Sequence, residues 1–183
     1  MNNVFIILVK PQLGQNIGSV ARIMKNLNFK NLRIVNPRDG WPNQDVISTA
    51  AGADDIITNT KVFENVSEAC NDLNYLFASS ARKRDLNIKT LNLVNTVSFL
   101  NKTEFSRNDF KIGLLFGCES SGLSNEDLIT ANQLIYIPSN SDFMKKSIME
   151  NIKVLFNRSE LSSQEIKTLN GIIKSLYEYN KQA

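Results

Sequence analysis

The stretch VFIILVKPQLGQNIGSVARIMKNLNFKNLRIVNP, residues 4–37, constrains the fold more than any other part of the chain. Val4–Val9 is an unbroken apolar run rich in β-branched residues, which is how a strand covered on both faces reads. Lys10-Pro11 ends it, and PQLGQNIG follows as a turn-forming loop. Ile17, Val20, Ala21, Met24 and Leu27 then recur at helical spacing, so NIGSVARIMKNL is expected to be an amphipathic helix. LRIVNP, Leu32–Pro37, reads as the next strand. Strand, helix and strand within about thirty residues make a βαβ unit and imply a parallel sheet.

The alternation continues. WPNQDVISTAAGA reads as helical, with Pro42 early, where a missing N–H costs nothing. VSEACNDL is expected to be a short helix, YLFASSA and IGLLFG strands, and QLIYIP the last strand, while TVSFLN fits helix or strand. Ser124 and Asp127 of SNEDLITAN have the spacing of a capping box at a helix start. Five or six strands with interleaved helices give an α/β domain, a parallel sheet with flanking helices, over residues 1–142. Residues 143–183 differ. Ile148, Ile152, Leu155 and Phe156 share one helical face, and Ser162 with Glu165 forms a second capping box before Ile166, Leu169, Ile172, Ile173 and Leu176. That segment is expected to be a C-terminal helical extension.

Composition narrows the chemistry. The chain has no histidine, which removes Ser-His and Cys-His catalysis and most zinc sites. Two cysteines, Cys70 and Cys118, are too few for a disulfide framework or a paired-cysteine metal site, so no metal is expected. What remains is work for Arg, Lys, Glu, Asp, Ser and the backbone. A net charge of +3 permits contact with nucleic acid without demanding it. The first residues lack a basic region and the apolar run of a signal peptide, and no stretch is long enough for a membrane span. The expected location is the cytoplasm.

Ligands in open parallel sheets bind outside the carboxyl ends of the strands, and three loops leave such ends with chemistry-bearing residues. GQNIGSVAR holds Asn16 and Gly18 ahead of Arg22, whose guanidinium can grip a phosphate or carboxylate. It also reads as a plain helix start with a solvent-facing arginine, and it lacks both G-x-G-x-x-G and the Walker G-K-[ST]. SSARKR sets Arg82, Lys83 and Arg84 beside two serines, suiting RNA backbone contact or a solvated turn. GCESSGLSNE places Gly117 and Gly122 around Glu119. The glycines would allow close backbone approach to a flat ligand, and Glu119 could orient a neighbouring loop or a substrate hydroxyl.

NIGSVARIMKNLNFKNLRIVNP, AAGADD, SSAR, LLFGCESSGLSNEDL and LIYIPSN follow one another in an order that resembles the SpoU (TrmH-like) class of SPOUT RNA 2′-O-ribose methyltransferases. The combination is most similar to the TrmJ branch, which modifies the tRNA anticodon loop, and it spans Val4 to Asn140. The resemblance implies a trefoil-knotted SPOUT domain, S-adenosyl-L-methionine (SAM) as methyl donor, tRNA as substrate and a homodimer with the active site at its interface. Carried over residue by residue, it implies catalytic roles for Asn16, Arg22 and Glu119, with the arginine near the target ribose. It implies cofactor binding by Ser79, Ser80, Ala81, Gly117 and Ile137. Cys118 departs from the family, which usually has arginine or another residue between the glycine and the glutamate.

A larger departure follows the last strand. The family has a third motif there, S-x-N-[LV]-[SA]-x-A, which threads the knot and closes the cofactor pocket. This chain has SNSDFMKKSIMENIKVLF, and its later residues resemble the distal C-terminal helices of TrmJ-type proteins. The reading is an internal deletion near Phe143–Lys146 that leaves the knot open to question. The alternative is divergence of the motif in place. Two outcomes are weighed: a methyltransferase, or a catalytically inactive RNA-binding or dimerisation remnant. A dinucleotide-binding domain is disfavoured by the missing glycine fingerprint.

Overall fold

The computed structural model describes residues 3–81, 87–100, 107 and 109–137. Thirteen elements run β1 (Val4–Val9), α1 (Gly14–Asn26), β2 (Asn31–Val35), α2 (Gln44–Thr49), α3 (Asp54–Thr58), β3 (Lys61–Phe63), α4 (Val66–Cys70), β4 (Tyr75–Ser80), β5 (Thr90–Asn92), α5 (Leu93–Leu100), β6 (Ile112–Phe116), α6 (Asn125–Ile129) and β7 (Gln133–Tyr136). The second domain, the second capping box, the third-motif region and Arg82, Lys83 and Arg84 all lie outside the described residues, as does any knot.

Seven strands form one sheet in the order β3-β2-β1-β6-β4-β7-β5. Every pairing between neighbours is parallel. The chain lays β1, moves outward to β2 and β3, then crosses over and lays β4 two places from β1. β6 later enters between β1 and β4, and β7 between β4 and β5. The strand order therefore reverses between β1 and β6, and the crevice of such a sheet opens at that reversal.

Both faces are covered, as the continuous apolar strands require. Ile6, Leu8, Leu32 and Ile34 pack against Ile17, Ala21 and Met24 of α1, Val46 of α2 and Ile56 of α3. Ile7, Val9, Val35 and Leu115 point the other way, onto Val66 and Ala69 of α4 and Leu128 of α6. Each such aliphatic side chain contributes about 1.5–3 kcal/mol when fully buried. Leu114 links the α1 side to a third cluster, where Phe99 and Leu100 of α5 cover Phe77 and Ile112.

Several sequence expectations need correction. The first helix begins at Gly14, so Asn16 and Gly18 lie inside it and not in the preceding loop. Glycine is needed at position 18 for packing: a Cβ there would sit 2.7 Å from the Val46 carbonyl oxygen and 2.9 Å from the Ala50 nitrogen. Of the segment Trp41–Ala53 only Gln44–Thr49, α2, is helical, and a second short helix, α3, follows it at Asp54. Asn43 caps α2 by accepting the Asp45 N–H, so Pro42 precedes the cap, and Gly52, at φ 83°, turns the chain between α2 and α3. TVSFLN falls within α5 except for its last residue, which lies outside the described residues. The strands number seven because two edge strands, β3 and β5, are only three residues long. The Ser124–Asp127 capping box is present with both of its reciprocal bonds.

Candidate active site at the strand ends

Because β1 and β6 are neighbours, the loops that leave their carboxyl ends meet, although about a hundred residues separate them in sequence. Glu119 joins them. Its Oε1 accepts from Asn16 Nδ2 at 2.6 Å, and its Oε2 accepts from the backbone N–H of Gln12 at 2.9 Å. A further bond runs from Gln12 Nε2 to Ser120 Oγ at 3.0 Å. The carboxylate also meets an electrostatic need of α1. That helix has Leu13 at its N-cap, no side-chain cap and no acidic residue in its first turn, so Glu119 supplies the negative charge its positive end favours.

Asn16 and Glu119 are thus brought together, and what they do in this structure is fasten the first turn of α1 to the loop after β6. Arg22 lies six residues beyond Asn16 on α1. It is exposed and makes no hydrogen bond or ion pair among the described residues, so its guanidinium is available to a ligand.

The loop carrying Glu119 closes on itself. Gly122 N–H donates to the Cys118 carbonyl at 2.9 Å, and Gly122 adopts a left-handed φ of 71°. A Cβ on Gly117 would fall 2.7 Å from the Gly122 carbonyl oxygen, and closer still to the Gly122 carbonyl carbon and the Leu123 nitrogen. Gly117 is therefore required by the loop's own backbone, where the sequence suggested close approach to a ligand. Cys118 Sγ lies 2.9 Å from Ser121 Oγ and 3.5 Å from Ser120 Oγ. Partial burial disfavours its thiolate, but the hydroxyls and backbone N–H groups of Ser120 and Ser121 outweigh that and lower its pKa to about 7. Cys70 has no such donors among the described residues, and burial pushes its thiol up to about 11.

This contrast has a direct test. At pH 7 iodoacetamide is expected to alkylate Cys118 at least roughly a hundredfold faster than Cys70, because the thiolate is the nucleophile. The Cys118 rate should level off above about pH 8, as a thiol with a near-neutral pKa becomes fully ionised. Peptide mass spectrometry over time would measure both. A Cys118 rate still climbing steeply through pH 9 would overturn the assignment.

The remaining sequence candidates lie across the neighbouring strand ends. Ser79 and Ser80 close β4, which lies between β6 and β7, and Ala81 follows them. Ile137, just past β7, donates its N–H to the Ser80 carbonyl at 2.9 Å. Gly117 stands at the end of β6, beside β4. Ser79, Ala81, Gly117 and Ile137 therefore share one edge with the Asn16–Glu119 clasp. Gln12 and Ser120 complete that clasp and were not singled out by sequence. Neither belongs to a recognisable spacing, and only the β1–β6 adjacency reveals them.

Residues 3–147 match the model of the SpoU rRNA Methylase family. This chain belongs to the SpoU methylase family. The chain is 32% identical over 151 residues to the tRNA (cytidine-2′-O-)-methyltransferase TrmJ of Methanocaldococcus jannaschii, covering 82% of this chain and 64% of that protein. It is 35% identical over 155 residues to LasT of Escherichia coli, an uncharacterised tRNA/rRNA methyltransferase, covering 81% and 64% respectively. The chain thus spans just under two thirds of the length of these relatives. Among solved structures, TrmJ from Z. mobilis ZM4 is similar with a TM-score of 0.67 and 26% identity, over 94% of this chain and 98% of that one. The SpoU methyltransferase AviRb from Streptomyces viridochromogenes, in complex with AdoMet, shares the fold at a TM-score of 0.56 and 12% identity, over 98% of this chain and 59% of that one.

The strand-end residues of this SpoU family member fit a nucleoside-bearing cofactor. Ile137 is apolar and half-buried, and the Ser79 hydroxyl is half-buried with no side-chain partner among the described residues. An apolar wall with a few convergent polar groups is the usual lining of such a site. Among the described residues no helix is long and apolar enough to cross a membrane.

Proposed function

We propose that this chain methylates a ribose 2′-oxygen of tRNA, in the anticodon loop, with SAM as donor. One observation carries the reading: in a SpoU-family chain whose first helix bears an exposed arginine, the strand ends gather a carboxylate that ties that helix to the loop after β6 and an apolar, hydroxyl-bearing border. The M. jannaschii relative is a tRNA 2′-O-methyltransferase, which agrees in substrate and in reacting atom. When bound, SAM supplies an electrophilic methyl group on a sulfonium. Ser79, Ser80, Ala81, Gly117 and Ile137 border the place it would take. Arg22 holds the target phosphate and ribose and stabilises the negative charge that builds on the 2′-oxygen as its proton passes to solvent. Asn16 and Glu119 keep the arginine-bearing helix in register with the cofactor side. Positioning and electrostatics of this kind suffice for the reaction, and no histidine is required. The active unit is a homodimer in the cytoplasm.

A second reading is favoured by the residues SNSDFMKK that stand where the family has its third motif. It holds that the chain binds RNA or dimerises without catalysis. Calorimetric titration with S-adenosylhomocysteine, followed by methyl transfer to tRNA lacking the modification, separates the two. Micromolar binding and transfer are expected, with Arg22→Ala slowing transfer about tenfold to a hundredfold, the worth of a lost charge-assisted hydrogen bond. A folded sample that neither binds the homocysteine product nor transfers a methyl group establishes the remnant instead.

A further inference from the structure

We propose that Gln12 is a positioning residue for this site, tying the loop after β1 to the loop after β6 and thereby fixing where Glu119 and the cofactor-side backbone stand. The inference rests on the reading above and adds to it a residue without an assigned role. Gln12 makes two bonds to one loop, from two different groups: its backbone N–H to Glu119 Oε2 at 2.9 Å and its side-chain Nε2 to Ser120 Oγ at 3.0 Å. Asn16 occupies the other carboxylate oxygen at 2.6 Å. Both oxygens are thus held from the α1 side, and the side-chain bond stops the loop from pivoting about the carboxylate.

The chemistry of the side chain is specific. A donor must reach Ser120 from a backbone already engaged with Glu119. Asparagine is one methylene shorter, and leucine or methionine has nothing to donate. A glutamate at position 12 would bring a second negative charge against Glu119. Ser120 Oγ, which accepts from Gln12, also lies 3.5 Å from Cys118 Sγ, so Gln12 holds the hydroxyl beside the thiol.

Three variants test this: Gln12→Ala, Ser120→Ala and the double change. In calorimetry with S-adenosylhomocysteine each single variant is expected to weaken binding about threefold to tenfold, the range for one hydrogen bond, and the double variant no further. Amide exchange across residues 118–122 should accelerate in Gln12→Ala while the melting temperature stays within about 2 °C of the parent, since only one exposed side-chain hydrogen bond is lost and the Gln12 backbone bond to Glu119 remains. The pH midpoint for alkylation of Cys118 should move up by roughly 0.3–1 unit as the Ser120 hydroxyl is no longer held beside the thiol. Unchanged affinity in the single variants, strictly additive losses, or unchanged exchange in the loop would each overturn the proposal. If the parent chain binds no S-adenosylhomocysteine, the methyltransferase reading fails. Exchange and alkylation then still decide whether Gln12 holds the loop.

Discussion

Replacing Gly117 by alanine is expected to destabilise the protein by about 2–4 kcal/mol, the upper range for inserting a methyl group where nothing can yield. The group would strike backbone and not a movable side chain: the Gly122 carbonyl oxygen would stand 2.7 Å away, with the Gly122 carbonyl carbon and Leu123 nitrogen nearer still. Relief requires the chain from Cys118 to Gly122 to open, which breaks the 2.9 Å bond between those two residues. Glu119 rides on that loop, so opening it also pulls the carboxylate from Asn16 and Gln12. The variant should therefore lose affinity for S-adenosylhomocysteine even where it remains folded. Gly122→Ala is the informative control. Gly122 has a left-handed φ of 71° but nothing near its absent Cβ, so alanine there should cost only about 1 kcal/mol. Thermal unfolding of both variants measures the contrast. Equal losses would show that backbone conformation, not collision, governs the loop.

The apolar strands were legible because burial on both faces writes a continuous signal into sequence. β1, β2, β4, β6 and β7 all lie inside runs such as VFIILV and YLFASS. β3 and β5 lie at the sheet edges and have no such signal. Lys61 and Val62 are exposed, and a three-residue edge strand is specified by its neighbour more than by its own composition. The capping box at Ser124 was legible because both partners lie within one turn.

The site was half legible for a related reason. Asn16, Arg22 and Glu119 could be named from motifs, and Arg22 is exposed. That Asn16 and Glu119 bond to each other could not be read, because their proximity depends on β6 being inserted beside β1 late in the chain. Glycines misled as well. Gly117 suggested room for a ligand, yet the space beside it is filled by the backbone of its own loop at Gly122 and Leu123, as the space beside Gly18 is filled by α2. A glycine in a sequence announces a close approach but not what approaches.

The other large effect is expected at Arg33, far from any motif. It sits in the middle of β2, 6% exposed, a place where the strand pattern calls for an apolar residue. Its guanidinium is held from several sides. Nη1 donates to the Ala69 carbonyl in the last turn of α4 at 2.6 Å, and Nη1 and Nη2 engage both oxygens of Asp72 at 2.6 and 2.9 Å. The plane lies 4.2 Å from the centre of the Phe5 ring. Lys111 Nζ reaches Asp72 as well, at 3.0 Å. Arg33→Ala removes this support and leaves a void, so a loss of about 2–4 kcal/mol is expected, or roughly 5–15 °C in melting temperature. Arg33→Met should cost about half as much, because an apolar chain refills the space and a buried cation no longer needs partners.

The variants should also differ in acid. The Arg33 hydrogen bonds, helped by Lys111 and opposed by burial, hold the Asp72 carboxyl well below its usual range. A carboxylate whose folded pKa is depressed stabilises the protein fully above its unfolded pKa, about 3.9, and loses that contribution as pH falls towards the folded value. The parent should therefore weaken progressively below about pH 5. Arg33→Met should show a shallower decline over the same interval, with Lys111 preserving part of the effect. Urea unfolding at pH 7, 5 and 3 gives both slopes. Parallel slopes would mean that Asp72 draws its ionisation from Lys111 and not from Arg33.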